Sequence, residues 1–131
     1  MKPEELTEDD WRERLSADQY RVLRESATEP PFSGALLKEK RPGTYCCAGC
    51  GQRLFEADTK FDSGTGWPSF FQPAQPEAIG QHRDHSMGME RIEVHCGRCR
   101  GHLGHLFPDG PEPTGLRFCI NSLALQFEPE T

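Results

Sequence analysis

Long apolar runs are missing from this sequence. No stretch could span a bilayer, and the opening Met1-Lys2-Pro3-Glu4-Glu5-Leu6 offers no apolar segment of the kind a signal peptide needs, so a cytoplasmic protein without a membrane partner is expected. Positive charge is also scarce: 15 Lys and Arg stand against 21 Asp and Glu, for a formal net charge of -6. A nucleic-acid surface would normally show a basic patch, and no nucleic-acid partner is expected. Apolar residues make up only 34% of the chain, beside 13 Gly and 11 Pro, which describes a loop-rich protein with a modest core that a metal staple would help. Helical periodicity is absent beyond the first quarter of the chain, and nothing resembles a linker. The 131 residues therefore read as one domain, residues 1–131. No segment has the look of an association helix, and a monomer is expected.

What the chain does have begins with two helix starts. Ser16-Ala17-Asp18-Gln19 is a capping box, followed by apolar Tyr20, Val22 and Leu23, and it predicts a helix over about residues 17–25. Thr7 before Glu8-Asp9-Asp10 predicts an earlier short turn through Trp11 and Leu15. Pro30 and Pro31 end helical structure, and three later segments read as β: residues 44–47, 91–96 and 116–127.

Six cysteines carry most of the chemical information. Four form matched pairs, Cys47-Ala48-Gly49-Cys50 and Cys96-Gly97-Arg98-Cys99, each entered from a predicted strand and followed by a glycine-containing turn. Two such hairpins can close a tetrahedral thiolate shell around Zn²⁺, with backbone N–H groups turned toward the sulfurs. In a reducing compartment, metal and thiol chemistry explain six cysteines better than three disulfides do. A thioredoxin-type CxxC would need a βαβ context that is missing; iron also suits four thiolates. Cys46-x3-Cys50 offers an alternative register, but the symmetry of the two pairs favours Cys47.

Cys119 stands apart, in Leu116-Arg117-Phe118-Cys119-Ile120-Asn121. Strand alternation puts Leu116, Phe118 and Ile120 on one face and Arg117, Cys119 and Asn121 on the other, so a guanidinium beside the thiol could favour the thiolate. After Ser122 the apolar parity changes to Leu123, Leu125 and Phe127, which predicts a bulge or bend. A buried structural cysteine is the competing reading. His102-Leu103-Gly104-His105 follows the second CxxC, and a bend at Gly104 could bring both imidazoles to one side as acid or base. His82, His85 and His95 carry no comparable partner signal and read as ordinary. Between Phe61 and Phe71, two glycines and an aromatic cluster around Trp67 suggest a binding loop whose rings could wall an apolar pocket.

Taken in order, Thr28-Glu29-Pro30-Pro31-Phe32, the two CxxC pairs, Asp62-Ser63-Gly64 with Gly66-Trp67-Pro68-Ser69-Phe70, His102-Leu103-Gly104-His105 with Phe107-Pro108-Asp109-Gly110-Pro111, and Arg117-Phe118-Cys119-Ile120-Asn121 resemble the B-type methionine sulfoxide reductase family. The resemblance runs over residues 15–127. It implies a mainly β fold of two antiparallel sheets behind a short N-terminal helical segment. It also implies one structural Zn²⁺ on Cys47, Cys50, Cys96 and Cys99, and reduction of the R epimer of methionine sulfoxide, free or in proteins, as oxidative repair. In that family's pattern Cys119 is the nucleophile, and His105, His102 and Asn121 position and protonate the sulfoxide oxygen. Trp67 receives the methyl group and Phe107 helps enclose it. The Cys119 sulfenic acid would then be recycled by thioredoxin or another thiol.

One departure bears on that cycle. Thr65 occupies the loop position where many members carry a resolving cysteine. Cys46 is the only cysteine left over to resolve the sulfenic acid; the alternative is a one-cysteine cycle in which thioredoxin, glutathione or another small thiol attacks it directly. The competing class for the whole chain is a zinc-dependent binding module with no chemistry at Cys119.

Overall fold

Two capping boxes start the two helices of this computed structural model, which describes residues 6–130 apart from 86, 87 and 89. The opening residues 1–5, read above for a signal segment, lie outside the described residues. Thr7 caps α1, Glu8–Arg14, and Ser16 caps α2, Ala17–Glu25; in each the cap hydroxyl accepts from the N3 amide while the N3 side chain accepts from the cap amide. Trp11, Tyr20, Val22 and Leu23 turn inward from these helices, and the Arg24 guanidinium lies 4.5 Å over the Trp11 ring.

The remaining regular structure is β apart from short 3-10 turns. A three-stranded sheet takes the order β2-β1-β9, from β1 (Gly43–Cys47), β2 (Arg53–Glu56) and β9 (Leu125–Pro129). A six-stranded sheet runs β3-β4-β8-β7-β6-β5, with β3 at Lys60–Phe61, β4 at Ser69–Phe70, β5 at Ile79–Asp84, β6 at Arg91–Cys96, β7 at His102–Phe107 and β8 at Arg117–Ile120. Every pairing is antiparallel. The fold is therefore mainly β with two antiparallel sheets and two short helices.

Aromatic rings join the sheets. Tyr45 and Phe55 of the smaller sheet meet Phe70 and Phe118 of the larger: Phe55 stacks on Phe70 at 4.3 Å, Tyr45 meets Phe70 edge-on at 5.1 Å, and Phe55 lies 5.7 Å from Phe118. All four are essentially inaccessible, and such pairs add about 0.5–1.5 kcal/mol each beyond area burial. Phe70 is thus spent on the core, not on the wall of a pocket.

The predicted segment 116–127 resolves into two strands in different sheets. β8 ends at Ile120, the short 3-10 turn Ser122–Ala124 follows, and β9 continues in the three-stranded sheet. The parity change read from Leu123, Leu125 and Phe127 marks that change of sheet, a larger event than a bulge. At the switch, the Asn121 backbone N–H and side-chain Nδ2 both donate to the Leu103 carbonyl (2.9 and 3.0 Å), and Oδ1 accepts from the Glu29 amide at 2.9 Å.

Candidate active site and metal centre

Strand register lines up one polar row across five strands of the larger sheet. His82 on β5 stands opposite Glu93 on β6, Glu93 opposite His105 on β7, His105 opposite Cys119 on β8, and Cys119 opposite Ser69 on β4. Directly opposed residues share a sheet face, so all five side chains project to the side away from Phe118, Ile120 and Val94.

His102 joins this face through a β-bulge. Residues three apart on a regular strand point oppositely, yet Val94 pairs with Gly104 while the next residue, His95, pairs with His102, leaving Leu103 as the extra residue. The two imidazoles end 5.6 Å apart, edge to face. Gly104 also has a packing duty, since a Cβ there would run into the Cys119 carbonyl oxygen. The sequence expectation of a bend near Gly104 is met by a bulge one residue earlier.

The two rings are held differently. His105 Nε2 lies 2.9 Å from Asp84 Oδ2, and Asp84 in turn contacts Arg91 at 3.4 Å, so a carboxylate fixes the ring's orientation. His102 is 3% exposed, and its Nδ1 is 3.3 Å from Glu93 Oε2 without hydrogen-bond alignment; neither ring nitrogen has a partner. Burial, with a further push from His105, brings its pKa down to about 4, so His102 is a neutral imidazole at pH 7. Burial pushes the Glu93 carboxyl up, partly opposed by His82 and His105. Asp84 and Glu93 were not found from sequence. Their strands, Ile79–Asp84 above all, are polar and lack alternation, and only the spacing Gly80, His82, Asp84 could have marked a face.

Cys119 is half-buried, and burial raises its thiol pKa. Arg117 and the Thr65 hydroxyl pull the other way without reversing it. The guanidinium expected to favour the thiolate is shared: Nε donates to Asp109 Oδ1 at 2.8 Å, Nη2 to Asp109 Oδ2 at 3.1 Å, and the group lies 4.3 Å over the Phe107 ring. Its role is therefore to hold Phe107 and Asp109 as much as to act on the thiol. Thr65 belongs to a hydroxyl chain in which Ser63 Oγ lies 2.8 Å from Thr65 Oγ1 and 2.7 Å from Ser69 Oγ, and Ser69 Oγ donates to the Trp67 carbonyl at 3.1 Å.

The half-buried Trp67 donates from Nε1 to the Glu29 carbonyl at 2.9 Å. Glu29 is 3% exposed, its amide donates to Asn121, and its Oε1 accepts from the Leu123 amide at 2.9 Å. This one residue ties the Trp67 loop to the end of the cysteine strand, a role its place in Thr28-Glu29-Pro30 did not reveal. A cleft of about 540 Å³ lies between this loop and residues 37–41, and none of Cys119, His102, His105 or Asn121 lines it. The row of side chains, and not the cleft, is where the reactive groups converge.

Cys47, Cys50, Cys96 and Cys99 come together, all four sulfurs within 4.8 Å of one another. Cys47 Sγ is 3.6 Å from Cys99 Sγ and Cys50 Sγ 3.5 Å from Cys96 Sγ, against about 3.8 Å for a tetrahedron with metal–sulfur bonds of about 2.3 Å. The amides of Gly49, Arg98 and Gly101 each donate to a sulfur at 3.4 Å, as a thiolate shell requires. The hydrogen bond from Cys47 helps bring Cys96 down to about 7. This donor set fits a metal ion. The two hairpins turn alike, through left-handed residues at Gly51 (φ 82°) and Arg100 (φ 64°). In the second hairpin a non-glycine residue, Arg100, thus takes the left-handed conformation, one place before Gly101. Both hairpins rest on the helices: Gly49 faces Trp11 and Leu23, and Arg24 donates twice to the Cys99 carbonyl at 3.2 Å.

Cys46 takes no part in the cluster. Its backbone pairs with Arg53 and Gln126, and its buried thiol, raised by burial, answers to Glu128, Arg53, Glu56 and Cys50. It lies in the three-stranded sheet, whereas Cys119 lies in the six-stranded one beside Arg117 and Thr65. Among the described residues, no helix is long and apolar enough to cross a membrane.

A family model described as the SelR domain matches residues 15–129. Among similar proteins, the "Peptide methionine sulfoxide reductase MsrB" of Bradyrhizobium diazoefficiens is 62% identical over 124 residues, covering 95% of this chain and 89% of that protein. The protein of the same name from Leptospira interrogans is 53% identical, covering 95% of each. That from Methanosarcina mazei is 56% identical over 126 residues, covering 96% of this chain and 90% of its own length.

Proposed function

The chain belongs to the SelR domain family, and from that membership we propose that it reduces the R epimer of methionine sulfoxide to methionine with Cys119 as the attacking thiol. The observation that carries the assignment to Cys119 is its register pairing with His105, with His102 drawn onto the same face by the bulge. Attack of the Cys119 sulfur on the sulfoxide sulfur, with protonation and cleavage of the S–O bond, converts thiol and sulfoxide into methionine and Cys119 sulfenic acid. The thiol is oxidised and the sulfoxide reduced, with no further electron donor in this half-reaction.

Each neighbour has a task that its contacts support. Asp84 orients His105, the register partner of Cys119, as the acid for the oxygen that must be protonated. His102, neutral and with both nitrogens unpartnered, offers a hydrogen-bonding position on the same side. Asn121 acts chiefly by position, since its amide already bonds Leu103 and Glu29. Trp67, anchored by Glu29, and Phe107, braced by Arg117, supply the apolar walls for the methyl and methylene groups.

The regenerating half-reaction uses one cysteine of this chain. Thr65 stands beside Cys119 as a hydroxyl donor where a resolving thiol would sit, and Cys46 lies on β1 of the three-stranded sheet while Cys119 lies on β8 of the six-stranded one. An external thiol, from thioredoxin or a small molecule, attacks the sulfenic acid and expels water. A second thiol releases Cys119 and leaves as the disulfide. Cys47, Cys50, Cys96 and Cys99 hold Zn²⁺, which supplies cross-linking and no step of the reaction. The whole chain acts as one reductase domain with its core over residues 15–127.

Wild type, Cys119→Ser and Cys46→Ser assayed on each sulfoxide epimer test the reading. R-epimer turnover persisting in Cys119→Ser sinks it. Loss of thioredoxin-driven turnover in Cys46→Ser, with the first stoichiometric release of methionine intact, sinks the one-cysteine cycle.

A further inference from the structure

The polar row does not stop at the active site. Beyond Glu93 it continues to the sheet edge, where β5 brings His82 opposite Glu93 and, two positions along, Gly80 opposite His95. Residues two apart on a strand share a face, so His82, Glu93 and His95 project together. One ligand atom from each lies within 4.8 Å of the others; His82 Nε2 is 3.4 Å from Glu93 Oε1, and the two imidazole rings are 5.6 Å apart. Gly80 is what lets His95 lie over β5, for a Cβ at that position would fall on its Nε2. The His82 side chain is 55% exposed and the Glu93 side chain 14%, so the group is open on one side and anchored on the other.

We propose that His82, Glu93 and His95 form a second metal site, for a divalent transition ion of the Zn²⁺, Co²⁺ or Ni²⁺ class, which modulates the reaction through Glu93. Two imidazoles and one carboxylate on one side, with the remaining positions open to water, suit these ions better than Mg²⁺ or Ca²⁺, which take oxygen ligands. Bonds of about 2.0–2.2 Å put tetrahedral donors about 3.3–3.6 Å apart; His82 Nε2 and Glu93 Oε1 already lie 3.4 Å apart, and the exposed His82 is free to turn toward His95.

Glu93 has one oxygen for each side: Oε1 faces His82, and Oε2 faces His102 Nδ1 at 3.3 Å. His102 is the buried imidazole without a hydrogen-bond partner. An ion on Oε1 draws the Glu93 carboxylate toward His82 and away from His102, which loosens the placement of the imidazole that shares a face with His105 and Cys119. The metal-bound form turns over more slowly. This effect on rate rests on the proposed reductase chemistry; the binding itself does not.

The test uses the zinc-loaded, tag-free full chain carrying Cys46→Ser and Cys119→Ser, so that neither free thiol can serve as ligand, dialysed to equilibrium against Ni²⁺. One Ni²⁺ per chain is expected in addition to the resident zinc, with affinity falling at least tenfold in His82→Ala and in Glu93→Gln. His85→Ala, which removes an exposed histidine outside the group, is expected to leave it unchanged. In the chain with its cysteines restored, Ni²⁺ slows sulfoxide turnover, and His82→Ala abolishes the slowing when each variant is compared with its own metal-free rate. Equal Ni²⁺ binding by His82→Ala, Glu93→Gln and the parent overturns the site. Binding at this site that leaves turnover unaltered overturns the coupling through Glu93. A chain that reduces no sulfoxide at all leaves the dialysis result standing and bears instead on the reductase reading.

Discussion

Acid should weaken this protein by way of His102, in an amount that can be worked out. The ring is 3% exposed, and its pKa falls from 6.5 to about 4, chiefly by burial, with His105, His82 and Arg91 adding repulsion and Asp84 opposing. A depressed folded-state pKa means that the unfolded chain binds more protons between about pH 4 and 6.5. Stability is therefore fully present above pH 6.5 and lost as pH falls toward 4. Linkage gives a loss of about 2 kcal/mol between pH 7 and pH 5, approaching roughly 3 kcal/mol below pH 4. Protonation of the cluster thiolates also destabilises in acid, so the informative quantity is a difference. Urea unfolding from pH 7.5 to 4.5 would be compared for wild type and His102→Gln, which share that thiolate contribution. The two stability curves are expected to converge as pH falls, the variant having the shallower slope. Parallel curves, separated by the same free energy to within about 0.5 kcal/mol at every pH, would refute the account of a buried neutral imidazole.

Stripping the metal from the cysteine cluster should be costly, because Cys50 and Cys96 are 46 positions apart and the chain-entropy relation for such a cross-link gives about 4 kcal/mol. Chelation under reducing conditions is expected to lower Tm by about 10–20 °C in calorimetry, with partial recovery on adding Zn²⁺. Arg100→Gly, at an exposed residue with φ 64°, should stabilise by about 0.5–1 kcal/mol, read as a shift in urea midpoint at constant m. Thr65→Ala removes a hydroxyl that lowers the Cys119 thiol pKa. Its thiolate fraction at pH 8 should fall, and iodoacetamide alkylation of Cys119 should slow several-fold in the Cys46→Ser background.

Much of this molecule is legible along the chain where a local rule operates alone. α2 follows from a hydroxyl cap with an amide three residues on, α1 extends the short turn read after Thr7 into a seven-residue helix, and the cysteine cluster follows from two identical spacings. Cys119 and the face it shares with Arg117 follow from alternation, since Phe118 and Ile120 have nowhere to go but the core. What escapes is set by register between distant strands. His82, Glu93 and His95 read as ordinary because their meeting depends on how β5 pairs with β6, and β5 has no apolar alternation to announce it. The Arg117 guanidinium next to the thiol was visible, but not that Asp109 and Phe107 would compete for it. Leu103 gave no sign that it would be the residue squeezed out of the ladder, because a bulge is a property of two strands and not of one.

The pairing of β1 with β9 sets an order of assembly during synthesis. Cys47, Cys50, Cys96 and Cys99 all precede Cys119, and β1 has to wait for Leu125–Pro129 before its second edge is covered. As the chain leaves the ribosome, the four cluster thiols can meet, and can take up a metal, while Cys119 is still being made. The last strand then closes the smaller sheet, with Ala48 of the first hairpin donating to the Ala124 carbonyl at 2.9 Å, so that the hairpin made early is fastened to the segment made last.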